Sequence, residues 1–179
     1  FYRGSGPSWS RLTVEATLPG LLAEQTHVAL IDYHTGLGPF GVPYIVHGYE
    51  KDTIEFQAFE TAFEGEARST MDTENLDEDL PASPEGPLVL SMQAVLPNKQ
   101  NYAAVIEYGT VPPEQVFTTL MEDNWVHAHG KLDTEQGRAA KDRMKECFYP
   151  SSDKWKGMIW ERSVWSINCA VKLLRDETA

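Results

Sequence analysis

The sequence holds only two cysteines, Cys147 and Cys169, with no C-x-x-C pair and no Cys/His cluster. That argues against a disulfide-stapled secreted scaffold or a thiolate zinc module, and casts both as small core hydrophobes in a reducing, cytoplasmic setting. Long apolar runs are missing too, and none reaches the roughly 20 residues needed to cross a bilayer. Positive charge is scarce: 15 Lys+Arg stand against 27 Asp+Glu, a formal net charge of −12 at pH 7. Such a surface repels phosphate, so neither nucleic acid nor an anionic membrane is expected as a partner. No basic segment followed by an apolar stretch opens the chain, which begins at Phe1. An unprocessed secretory precursor is therefore not expected, and a trimmed or cut chain is.

What is present suits one globular domain. The 179 residues are 41% hydrophobic and 11% aromatic, enough apolar material for a real core. After the turn-rich Phe1–Pro7, a Ser8 or Ser10 cap predicts a helix over about Trp9–Glu24, interrupted near Pro19-Gly20. His27–Tyr33 is a short apolar run of the buried-strand type. It is expected to stop at His34-Thr35-Gly36-Leu37-Gly38-Pro39, where two glycines and a proline favour a loop. Val42–His47 predicts a brief second strand. Residues 64–87 carry eight acidic residues, one arginine and three prolines, the composition of an acidic, mobile loop. Leu88–Val95 and Tyr102–Glu107 are two further strand candidates around the turn Pro97-Asn98-Lys99-Gln100.

The remainder reads as helix. Pro112 and Pro113 suit a first turn, and Val116, Phe117, Leu120, Met121, Asn124 and Trp125 recur at helical spacing. Thr134–Phe148 predicts a more polar helix closed by Pro150. Trp160–Leu174 predicts another, with Trp160, Val164, Ile167, Val171 and Leu174 on one face. Strands alternating with helices imply an α/β fold: a three-layer, mostly parallel mixed sheet flanked by helices.

Ligands of open α/β sheets bind beyond the carboxyl ends of strands. Two strand ends carry ionisable residues just before glycine turns: Asp32-Tyr33-His34 and Ile106-Glu107-Tyr108-Gly109. Strand alternation puts Asp32 and His34 on one face, where the carboxylate can orient the imidazole. An imidazole there suits a metal ligand or base, and a carboxylate on the next strand end suits a ligand or a base that activates water. The bland alternatives are a hydrogen-bonded turn histidine and a plain surface carboxylate. His47-Gly48-Tyr49-Glu50 is a local H-x-x-E that would give a His34, His47, Glu50 set, with a surface loop as the alternative. His127 and His129 read as carboxyl-terminal caps of a helix, since H-x-H on a helix points apart. Arg162, near Trp155, Trp160 and Trp165, could reach an anionic substrate or stack on an indole.

His34-Thr35-Gly36-Leu37-Gly38-Pro39 after Ile31-Asp32 resembles a signature of an uncharacterised bacterial branch of the zinc carboxypeptidase (carboxypeptidase A-like) superfamily. The resemblance continues through Phe1-Tyr2-Arg3-Gly4 with Trp9-Ser10, Glu107-Tyr108-Gly109-Thr110-Val111-Pro112-Pro113, Asp123-Asn124-Trp125, Phe148-Tyr149-Pro150 and Trp155-Lys156. It covers most of residues 1–179 apart from the stretch between Lys51 and Pro87. It implies the carboxypeptidase fold and a metallohydrolase of peptide or N-acyl amino acid amide bonds. His34 matches the last of the family's zinc ligands, and Glu107 matches the glutamate that serves as base for zinc-bound water. Asp32 would then stand behind His34.

The family's H-x-x-E pair and its substrate-carboxylate residues precede this signature, so the chain matches the carboxyl-terminal portion of that domain. His47 and Glu50 follow the signature and do not fit that order. A catalytic zinc needs three protein ligands and one open position. Zinc bound by this chain alone is therefore expected to be weak or absent, and a further amino-terminal segment or another subunit is the expected partner. The rival from another class is a non-catalytic α/β binding module that keeps the fold without a complete metal site.

Overall fold

The computed structural model describes residues 6–71 and 88–175. In chain order the elements are α1 (Trp9–Leu21), β1 (His27–Phe40), β2 (Pro43–His47), α2 (Ile54–Ala62), β3 (Ala67–Ser69), α3 (Leu88–Val95), β4 (Gln100–Gly109), α4 (Pro113–His129), α5 (Glu135–Phe148) and α6 (Asp153–Arg175). The strands form one mixed sheet in the order β1-β4-β2-β3. Strands β1 and β4 run parallel, β2 runs antiparallel to β4, and β3 runs parallel to β2.

Residue parity sorts the two faces. On one face Ala29 and Ile31 of β1, and Tyr102, Ala104, Ile106 and Tyr108 of β4, pack with Phe59, Ala62 and Phe63 of the α2 region and Trp155, Cys169 and Leu173 of α6. On the other, Val28, Leu30, Ala103 and Val105 pack with Met92 and Val95 of α3, and with Leu18 of α1. The sheet is thus sandwiched between α2/α6 and α1/α3, a three-layer α/β architecture. Helices α4 and α5 pack on each other, and Thr35 of β1 donates its hydroxyl to the Phe148 carbonyl of α5 at 2.6 Å. The two strands have different company. Central β4 is largely buried, whereas of β1 only Val28 and Gly36 are.

Several expectations need correction. Leu88–Val95 is helix α3, not a strand; a mostly apolar run of this length followed by a turn fits either form, and here Met92 and Leu96 bury at helical spacing against Val28 and Ala103. The sequence reading assigned no element to residues 54–62, yet they form α2, which Thr53 caps by accepting the Phe56 amide. Its Phe59 and the adjoining Phe63 sit in the core.

Strand β1 does not end at His34. Its pairing with β4 runs to Thr35, bulges through residues 36–39, and resumes at Phe40 opposite Gly109. Gly36 and Gly38 supply the left-handed backbone at φ 121° and 93° that this arc requires. Helix α1 ends at Leu21 with Pro19 inside its last turns. Helix α6 starts at Asp153, seven residues before the predicted start, and of the five residues predicted to share a face, Trp160, Val164, Ile167 and Val171 are exposed, while Leu174 packs against the core. The side facing the sheet holds Trp155, Ser166, Cys169, Ala170 and Leu173, and its small members let that part of the helix lie close to the sheet. In the acidic region, Ala67 and Ser69 of β3 are buried; the rest of the expected mobile loop, 72–87, lies outside the described residues.

Candidate functional site

The parity that builds the faces also places the chemistry. Counting on from Val28 and Leu30, Asp32 and His34 project from the α1/α3 face of β1; counting from Ala103 and Val105, Glu107 projects from the same face of β4. Because β1 and β4 are parallel, both carry these residues at one end of the sheet, and His34 pairs in register with Glu107. Helix packing covers the earlier part of that face and leaves this end to polar groups.

The imidazole of His34 stands between two carboxylates. Its Nε2 lies 3.0 Å from Asp32 Oδ2 and its Nδ1 lies 3.4 Å from Glu107 Oε1. Glu107 is the most enclosed of the three, and its Oε2 is buried with no hydrogen-bond partner. Burial raises the Glu107 pKa, the neighbouring His34 pulls it down, and Asp32 pushes it up again. A neutral imidazole has one N–H. If that proton is on Nε2 toward Asp32, the Nδ1 lone pair faces a carboxylate oxygen. That juxtaposition calls for a shared cation, either a proton or a metal.

Strand β2 adds a residue that the sequence reading did not single out. Tyr44 pairs in register with Glu107 from the other side, so His34, Glu107 and Tyr44 form a row across β1, β4 and β2. The Tyr44 ring lies against Gly38, where an added Cβ would sit 3.0 Å from Tyr44 Cδ2. The period-two count from the second strand could have found it, had the antiparallel pairing of β2 been known.

The remaining candidates lie elsewhere. His47 takes the parity of Ile45 and so belongs to the α2/α6 face, opposite His34. It is 1% exposed, stacked on Phe59 at 4.8 Å and edge-on to Phe56 at 5.5 Å. Its Nδ1 accepts the Tyr49 amide at 3.2 Å, which leaves the proton on Nε2. Burial lowers its pKa to about 4. Glu50 is exposed. The H-x-x-E is therefore neither a surface loop throughout nor part of a set with His34, since the two histidines point to opposite faces.

Arg162 lies on α6, stacked over Trp165 at 4.0 Å and paired with Glu66, again across the sheet from His34. His127 approaches Lys141 Nζ at 2.7 Å and Asp123 at 3.7 Å on the α4–α5 pair. Among the described residues there is no group of three or more His, Cys, Asp or Glu disposed to hold a metal ion. Cys147 and Cys169 are free and buried, and no described helix is long and apolar enough to cross a membrane.

Comparison with known proteins gives one match. A family model described as a protein of unknown function, DUF2817, aligns with residues 1–162. The chain belongs to this family. No curated protein and no solved structure matches it. The family match spans the row of His34, Glu107 and Tyr44 together with the Asp32 behind it.

Proposed function

We propose that the chain carries the base-bearing part of a hydrolase of peptide or N-acyl amino acid amide bonds, with Glu107 taking the proton from the attacking water. The observation that supports this reading is the Glu107 carboxylate, held 3.4 Å from His34 Nδ1 with its second oxygen buried and unpartnered. A carboxylate whose pKa is raised by burial is a stronger base than one in water, and no described protein group competes for its second oxygen. Asp32 at His34 Nε2 fixes the imidazole's tautomer and orientation.

The resemblance to zinc carboxypeptidases makes zinc the implied cofactor, with His34 as one ligand. The donors present fit only in part: one imidazole faces the site, and the described residues do not complete a set of three ligands. When bound, zinc would polarise the scissile carbonyl and acidify water; the ligands beyond His34 would come from a further segment or another subunit. The binding-module alternative draws on the same incomplete ligand set.

Glu107→Gln keeps the side chain's shape and removes its basicity. Turnover of N-acyl amino acid or peptide substrates should fall by a factor on the order of 10² to 10⁴, with zinc content unchanged. His34→Ala should lower zinc content and turnover together. Undiminished turnover in Glu107→Gln would make the carboxylate structural, and loss of zinc there would make it a ligand.

A further inference from the structure

His34 and Glu107 point to one face of the sheet, and the residues beside them in sequence point to the other. Just past that row the ladder between β1 and β4 is interrupted. Thr35 and Tyr108 form its last regular rung, the arc 36–39 follows, and pairing resumes at Phe40 and Gly109. The row therefore stands one rung from the end of the ladder.

Four ties from α5 and α6 reach this end of the two strands. Tyr33, before His34, places its hydroxyl 2.9 Å from Ser166 Oγ and donates to the Ser163 carbonyl at 3.3 Å. Thr35, after His34, donates to the Phe148 carbonyl at 2.6 Å. Tyr108, after Glu107, meets Ser163 Oγ at 2.9 Å, and its ring stacks on that of Tyr33 at 6.2 Å. Trp155 makes the fourth tie. Its side chain is fully buried, and its indole N–H donates to the Gly109 carbonyl at 2.8 Å. The same carbonyl accepts the Gly41 amide at 2.8 Å. One indole thus secures the far end of the arc and the end of β4 together.

Each tie acts on a residue flanking His34 or Glu107, and none uses the imidazole or the carboxylate. A shift of about 1 Å at the end of β4 would open the approach of Glu107 Oε1 to His34 Nδ1, now 3.4 Å, and a misplacement of that size costs a reaction up to about 10²-fold. We propose that Trp155 and Tyr108 are positioning residues, a brace that holds Glu107 against His34 from the opposite face of the sheet. The effect of the brace on turnover rests on the reading of Glu107 as the base; its effect on the pair's geometry does not.

A role in folding alone would lower stability and leave the pair unchanged. Tyr49 supplies the comparison, being a buried tyrosine bonded to the other end of β4. Its hydroxyl donates to the Asn101 carbonyl at 2.8 Å and accepts the Ala103 amide at 2.9 Å.

The test compares Trp155→Phe, Tyr108→Phe and Tyr49→Phe in the 179-residue chain. Ring-nitrogen NMR of labelled histidine at neutral pH reads the geometry, with the His34 signals identified by their loss in His34→Gln. Trp155→Phe and Tyr108→Phe should each move those signals in the direction that Glu107→Gln moves them. Tyr49→Phe should lose stability in urea and leave them in place. In the zinc-supplied chain, kcat for peptide or N-acyl amino acid substrates should fall about 10- to 100-fold in the first two variants, with KM within about twofold.

If Trp155→Phe fails to fold, Tyr108→Phe, which removes a single oxygen, carries the test. His34 signals that stay in place in the folded variants overturn the brace, whatever the turnover. So does an equal response to Tyr49→Phe, which would reduce the effect to general stability. Undiminished turnover in Glu107→Gln overturns the base instead, and the ring signals still decide the brace.

Discussion

His34 and His47 are both imidazoles at the ends of strands, and the sheet gives them opposite tasks. His34 ends the regular part of β1 half-exposed between two carboxylates. His47 ends β2 on the other face, packed among Tyr49, Phe56 and Phe59, with its Nε2 buried and unpartnered. The first environment sets two carboxylates beside the ring, and the second buries the ring and disfavours its charged form. The same side chain thus becomes a candidate ligand in one place and a neutral core ring in the other. The deciding variable is which face of the sheet the residue's parity selects.

The difference can be broken most sharply through stability. His47→Ala would leave a cavity in an aromatic cluster and should lower the unfolding free energy by about 2–5 kcal/mol, read from urea denaturation. His34→Ala, at a solvent-facing rim, should change it by no more than about 0.5 kcal/mol. Equal losses would show that the two rings share one structural role.

Acid separates them next. The folded state holds the His47 pKa at about 4, below its ordinary 6.5, so unfolding releases a group that binds a proton more readily. The stability this residue preserves is full above pH 6.5, declines as pH falls below it, and is reduced by on the order of 3 kcal/mol near pH 4. His47→Phe should flatten that acid limb. Glu107 works with the opposite sign: burial raises its pKa, so its ionisation opposes folding at neutral pH and the opposition fades as pH falls. Acid melts of Glu107→Gln should therefore fall more steeply than those of the parent protein.

A smaller effect sharpens the His34 side. Asp32→Asn keeps the shape and removes the charge behind Nε2, and should cost roughly 10- to 100-fold in activity or metal affinity. Its unfolding free energy should stay within about 0.5 kcal/mol of the parent. A loss of stability without a loss of activity would make Asp32 a structural partner of β1.

Much of this arrangement was legible before any coordinates. The strands carrying Asp32, His34 and Glu107 declare themselves by apolar runs that end at glycine, and alternation puts Asp32 and His34 on a common face. What alternation cannot supply is pairing. The row that includes Tyr44 depends on β2 lying antiparallel beside β4, a tertiary fact. The seclusion of His47 depends on α2, whose Thr53 cap and Phe56, Phe59, Phe63 spacing stand in the sequence but do not say which strand the helix covers. Helix α3 reads equally as a strand because eight residues, six of them apolar, have no period long enough to decide between strand and helix. For α6, spacing groups Trp160, Val164, Ile167 and Val171 on one side but does not say which side meets the sheet, and the contact is made by Trp155, Ser166, Cys169, Ala170 and Leu173.

Gly109, two residues past Glu107, has a consequence for how this site can vary. A Cβ there would stand 2.0 Å from the Pro39 carbonyl oxygen and 2.1 Å from that of Gly38, and its own carbonyl accepts both the Gly41 amide and the Trp155 indole at 2.8 Å. All of these neighbours but the indole are backbone, so no compensating side-chain change elsewhere can make room. In a saturation library the position should tolerate no substitution, while Asp32, His34 and Tyr44 remain free to exchange at the cost of chemistry alone. Divergence in this family would then proceed by swapping groups around a fixed corner, and the placement of the carboxylate would be inherited unchanged even where its use is not.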